Sequence, residues 1–221
     1  MSTLKQHLYE PVNALTHLFG AFASIIGLML LLQVAQHNIT KMISLTIYGL
    51  SMLILYLAST LMHGVKTNHR IHYLLNRFDH MAIFLLIAGT YTPIVYNLYP
   101  KRWGMPILSA VWLAAFIGMG FKLFGKKIHG FFNVTIYLIL SWGGVIPLLL
   151  AIVLWQILHW HGVVLLLLGG FVYSVGFLIY YLRKPDPWPH TFGHHEIWHL
   201  FVLGGSFLHY LFIYFYVALP N

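Results

Sequence analysis

Gly162-Val-Val-Leu-Leu-Leu-Leu-Gly-Gly-Phe-Val-Tyr-Ser-Val-Gly-Phe-Leu-Ile-Tyr-Tyr-Leu182 decides the fold class. It holds no charged residue over the roughly 20 residues that a helix needs to cross a hydrocarbon core. Val163–Leu168 is apolar on every face, whereas a strand crossing a bilayer needs only about 10 residues with apolar and polar positions alternating. Helix is therefore expected, and lipid is its solvent. Working outward, six more runs of the same kind lie near Ala14–Val34, Met42–Met62, Asp79–Leu98, Met105–Leu123, Phe131–Leu154 and Ile197–Leu219. The expected fold is all-α, a seven-transmembrane helix bundle formed by residues 1–221 as one integral membrane domain. Gly89 and Pro93 in the third run, and Gly143, Gly144 and Pro147 in the fifth, predict bends that neighbouring helices must repair.

Composition agrees. Of 221 residues, 60% are hydrophobic and 7% charged, and the four acids (Glu10, Asp79, Asp186, Glu196) cannot clothe a water-soluble surface. The absence of cysteine excludes disulfides, thiolate metal sites and a cysteine nucleophile. The net charge of +8 reads as basic loops facing anionic lipid head groups, with no nucleic-acid partner expected. Lys5, Lys66, Arg70, Arg77, Lys122, Lys126, Lys127, Arg183 and Lys184 fall on one side of the spans, and Lys41, Lys101 and Arg102 on the other. The positive-inside rule then predicts a cytoplasmic N-terminus and an external C-terminus. The first run is a full span preceded by Glu10, Pro11 and Asn13 and not by a basic segment, so no cleaved signal peptide is expected.

Fifteen histidines outnumber the twelve lysines and arginines. Ionisable groups at lipid depth are costly unless they are paired or line a wet cavity, which makes each a functional candidate. Span counting brings several of them to one membrane face. The second span ends there with Ser59 and His63 at i and i+4, the third begins there with Asp79 and His80, and the seventh begins there with His195 and His199, again at i and i+4. Two imidazoles at that spacing and a third from another helix form a catalytic-type metal site with one open position. Imidazole donors without thiols favour Zn2+, although iron, copper or nickel also suit them. Asp79 is then expected as a fourth ligand or as an acceptor for a bound water. Glu10, Asn13 and His17 form one stripe at the same end of the first span and are expected to orient the site histidines. Glu196 points away from His195 and is expected to pair with a loop cation. His209 lies at mid-membrane depth, where a polar cavity or an interhelical bond must satisfy it.

Five stretches occur in order along the chain: Glu10-Pro-Val-Asn13-Ala-Leu-Thr16-His17, Ala58-Ser59-Thr-Leu-Met-His63, Arg77-Phe-Asp79-His80, Ala88-Gly89-Thr90-Tyr91-Thr92-Pro93 and His195-Glu-Ile-Trp-His199. In these the chain resembles the haemolysin-III-like bacterial membrane proteins, within the progestin and adiponectin receptor family and the wider superfamily that includes alkaline ceramidases. The resemblance implies zinc near the inner leaflet, held by His63, His195 and His199, with Asp79 holding a zinc-bound water and Ser59 close by. The function expected on these grounds is a zinc-dependent intramembrane hydrolase of a lipid amide or ester, resident in the bacterial inner membrane, with membrane lipids as its partners. Asp79 would act as general base and Ser59 as oxyanion donor. The alternative is a non-enzymatic sensor, membrane-homeostasis or cytolytic protein with a structural zinc. A third reading is a proton or ion path through the histidine-lined interior.

Overall fold

The computed structural model describes residues 8–125, 130–143, 160–189 and 191–219. Seven helices run through them: α1 Pro11–Val34, α2 Ile39–Gly64, α3 His69–Leu98, α4 Lys101–Phe124, α5 Gly130–Gly143, α6 Trp160–Leu182 and α7 His194–Ile213, which ends in a π-helical turn at Tyr214–Ala218. All except α5 are long and apolar enough to cross a membrane. The described part of α5 is also apolar, and the remainder of the fifth run, with Gly144 and Pro147, lies outside the described residues. No strand occurs among the described residues.

The distribution of side chains is the one that lipid imposes. Phe19, Phe22, Phe116, Phe124 and Phe207 stand exposed, while Asn13, His17, Ser24, Ser51, Ser59, His63 and His199 are buried. An apolar side chain loses nothing by facing acyl chains, whereas a polar one must find a partner inside the bundle. Consecutive helices pack from α1 to α4, α5 meets α3 and α6, and α7 packs on α6 and closes the ring against α1. That closure sets the first turn of α7 beside the first turns of α1.

Local chemistry fixes the helix ends. Pro11 occupies the first turn of α1, where its missing N–H costs nothing. The Asn38 and Asn68 side chains accept from Lys41 N and Ile71 N at the starts of α2 and α3, each at 3.0 Å. α3 therefore begins at His69, well before the apolar run at Asp79. These first turns are polar and interfacial and so carry no apolar-run signal, yet Asn68 caps a helix there. Arg70 and Arg77 are thus helical. Arg77 donates to the carbonyls of Leu123 and Gly125 and so satisfies the last turn of α4, with its guanidinium 4.4 Å from the centre of the Tyr73 ring. α3 runs through Pro93, and Asn97 donates to the Pro93 carbonyl at 2.7 Å.

Candidate metal centre

Two helix ends build the site. The last turn of α2 supplies His63 and the first two turns of α7 supply His195 and His199, and one nitrogen from each lies within 4.8 Å of the others. The imidazole centres form a nearly equilateral triangle: 4.9 Å for His63 to His195, 4.8 Å for His63 to His199 and 5.0 Å for His195 to His199. Each pair meets at a steep angle, so edges and not faces converge. The two α7 histidines are one turn apart, and α2 brings the third across the ring closure.

The outer edges of two of these rings are already committed. His63 Nδ1 lies 2.6 Å from Glu10 Oε2, and the Glu10 backbone N–H donates to the His63 carbonyl at 2.8 Å. Asn13 Nδ2 donates to the same carboxylate oxygen at 2.9 Å. Glu10 precedes α1, and its carboxyl is held down to about 2, chiefly by the hydrogen bond from His63 and further by Asn13, against the opposing effect of partial burial. An ionised carboxylate only accepts, so His63 Nδ1 donates to it and Nε2 is turned toward the cluster. His199 Nδ1 faces Thr16 Oγ1 at 3.5 Å, and that hydroxyl donates back to the Val12 carbonyl at 2.9 Å or to that of Asn13 at 3.0 Å. The hydroxyl thus has its own proton engaged and presents a lone pair to His199. One nitrogen of each ring faces those of the other two across the cluster. A proton on an outer nitrogen fixed by an oxygen acceptor, with the inner nitrogen bare, is the arrangement that suits imidazole for a metal ion. Three imidazole nitrogens with no sulfur suit a divalent transition-metal ion, which His63, His195 and His199 would hold.

The other residues expected at the site lie around this triangle. His17 stacks on His199 at 3.7 Å between centres and 18° between planes, and its edge meets Tyr56 at 5.1 Å. Both ring nitrogens of His17, the Tyr56 hydroxyl and Asn13 Oδ1 are buried without a hydrogen-bond partner. Asp79 and Ser59 lie together on the wall of a cavity of about 230 Å³ onto which the triad also opens. Asp79 stands outside the three-nitrogen cluster, with Oδ2 3.9 Å from His80 Nδ1. The structure thus gathers His17, Ser59, His63, Asp79, His195 and His199 around one cavity, with Glu10 and Asn13 behind the rings. Glu196 takes a different place from the one expected. Its carboxylate accepts from Gly193 N at 2.8 Å and so caps the start of its own helix.

Two participants escaped the sequence reading. Thr16 is one, although it shares the face of Asn13, three residues earlier. The other is Tyr180 on α6, whose ring meets the edge of His195 at 5.3 Å and 63°. Its signal lay in span counting, since α6 must end on the face where α7 begins. A third tyrosine, Tyr137, donates to the His80 carbonyl at 3.1 Å and ties α5 to α3 beside Asp79.

Comparison with known proteins places the chain. Residues 5–210 match the haemolysin-III-related family. The chain is 38% identical over 208 residues to the hemolysin-3 homolog of Bacillus subtilis, covering 93% of this chain and 92% of the relative. It is 27% identical to the human monocyte to macrophage differentiation factor, over 96% of this chain and 87% of that protein. It is 30% identical to the heptahelical transmembrane protein ADIPOR3 of Oryza sativa subsp. japonica, over 70% of this chain and 41% of that protein.

Proposed function

The chain belongs to the haemolysin-III-related family of multi-pass membrane proteins, and from that premise we propose that it is a zinc-dependent hydrolase cleaving a lipid amide or ester within the bacterial cell membrane. One observation carries the reading: three imidazole edges converge at the mouth of a largely apolar cavity whose wall also holds a carboxyl and a hydroxyl, Asp79 and Ser59. A purely structural metal needs neither the cavity nor those two groups.

His63, His195 and His199 would hold a zinc ion, which when bound would supply Lewis-acid polarisation of a carbonyl and acidification of water. The chain's own residues do the rest. The apolar wall excludes bulk water and receives the acyl chain, which raises the strength of each polar contact at the reacting carbonyl. Asp79 accepts the proton of the attacking water and returns it to the leaving amine or alkoxide as the acyl C–N or C–O bond breaks. Ser59 donates a hydrogen bond to the oxygen on which negative charge develops. Glu10 and Thr16 keep the His63 and His199 rings turned toward the centre.

The test uses purified protein in lipid nanodiscs, stripped of metal and reloaded with zinc, offered ceramide, N-acyl amine, diacylglycerol and phospholipid substrates. Fatty-acid release is measured by mass spectrometry. Release from at least one class is expected, lost on stripping and reduced about 10²–10⁴-fold by Asp79→Asn in folded protein. No release from any class by zinc-loaded protein would refute the reading. The name hemolysin-3, carried by bacterial relatives, supports the second reading, a non-enzymatic cytolytic or homeostatic protein with a structural metal. His195→Ala separates the two: a structural ion predicts loss of folded protein, and a catalytic ion predicts folded protein without activity.

A further inference from the structure

The cavity that begins at the triad continues to the middle of the bundle, where Leu166, Gly170, Tyr173 and His209 line it. Between residues 199 and 209 α7 rises about 15 Å at 1.5 Å per residue, about half the ~30 Å thickness of a hydrocarbon core. The far end therefore lies where the tail of a lipid chain would be. An acyl chain calls for hydrocarbon there, and the chain has placed an imidazole.

The geometry of that imidazole is specific. His209 Nε2 lies 3.1 Å from the Leu166 carbonyl of α6. A carbonyl only accepts, so Nε2 carries the proton and Nδ1 is a bare acceptor. Among the described residues nothing donates to it. The neighbouring hydroxyls have other contacts: one of Tyr173 and Ser206 donates to the other at 2.6 Å, and Ser174 donates to the Gly170 carbonyl at 2.8 Å while accepting from Trp142 at 2.9 Å. The ring cannot swing away to find a partner. Gly169 lies against it so closely that a Cβ at that position would collide with it, and the Tyr173 ring flanks it at 5.6 Å between centres. A plain hydrocarbon tail would leave this acceptor unsatisfied in an apolar medium, and a site built around such a group discriminates against a ligand that lacks the matching donor.

We propose that the deep end of the cavity recognises a hydroxyl, and that the lipid taken by this protein carries one on its chain about a leaflet's depth from the carbonyl held at the triad. The position of that carbonyl rests on the hydrolase reading, whereas the recognition of the hydroxyl does not. His209 accepts from the chain hydroxyl through Nδ1 while Leu166 holds the opposite edge of the ring.

The experiment measures equilibrium binding and not turnover. Zinc-loaded wild-type protein in nanodiscs is titrated with dodecanoic acid, whose extended chain matches the depth of His209, and with its terminally hydroxylated analogue. The hydroxylated acid should bind on the order of ten-fold more tightly. His209→Leu and His209→Phe should abolish or reverse that preference. Equal or weaker binding of the hydroxylated acid to wild type overturns the proposal and points to a water molecule as the partner of Nδ1. Absence of binding by either acid overturns it as well, as does an unchanged preference in a folded His209 variant. The wild-type comparison needs no variant to fold. A binding preference in protein that hydrolyses no lipid would remove the hydrolase reading and leave this one standing, and hydrolysis without preference would do the reverse.

Discussion

Replacing Glu10 with glutamine tests how the triad is held. The substitution keeps the side-chain length and leaves the backbone bond from residue 10 to the His63 carbonyl, at 2.8 Å, in place. It removes the charge from the acceptor 2.6 Å from His63 Nδ1. A hydrogen bond to a charged partner contributes about 1.5–3 kcal/mol and a neutral one about 0.5–1.5, so the difference is about 1 kcal/mol. The Glu10 side chain is 36% exposed, and solvent screening places the effect at the lower end of that range. At about 1.4 kcal/mol per factor of ten, zinc affinity should fall roughly five-fold. Glu10→Ala removes the acceptor altogether and frees the ring, for which the loss should be about 10–100-fold. The assay is zinc competition against a chromophoric chelator in detergent, with circular dichroism on the same samples to confirm helix content. If both variants bind zinc within about two-fold of wild type while fully helical, Glu10 does not hold His63 and the reasoning is wrong.

Further outcomes follow from the same geometry. Thr16→Val deletes the oxygen 3.5 Å from His199 Nδ1 while preserving shape, and zinc affinity should drop about three-fold in the same competition assay, less than for Glu10→Ala because the contact is longer and uncharged. The carboxyl of Glu10 is held at about 2, below its ordinary 4.5, so its contribution is complete above the ordinary value and fades only as pH falls toward 2. The ratio of wild-type to Glu10→Gln zinc affinity should therefore stay flat from about pH 8 to about pH 5, and a ratio that collapses within that window contradicts the assignment. Gly118→Ala on α4 would drive a methyl group into the ring of Phe84 on α3 and should cost about 1–3 kcal/mol in detergent unfolding experiments, with zinc affinity of the folded protein unchanged. Coupled loss of both would show that α4 supports the site more directly than its packing indicates.

The parts of this molecule that were legible from sequence are those that lipid itself enforces. Apolar length located the six helices that are long enough to cross a membrane, and parity placed His63, Asp79 and His195 on one face, because a chain that crosses a membrane has only two faces to choose between. What escaped was set by side chains meeting across helices. Arg77 reads as a loop charge for head groups, yet it closes the last turn of α4, a role that depends on where α4 ends and not on the residues around Arg77. Glu196 points away from its histidine neighbours, as helical spacing requires, but its partner is Gly193 at the start of its own helix. Thr16 in Asn13-Ala-Leu-Thr16-His17 gives no signal of a site role, because a threonine in a helix usually bonds its own carbonyls, which this one also does. Its second contact exists only because α7 returns to α1. Ring closure is thus the step that converts a stripe of polar residues on α1 into a support for imidazoles on α2 and α7. A change that loosens the α1–α7 contact should weaken metal binding even where every metal-facing histidine remains in place.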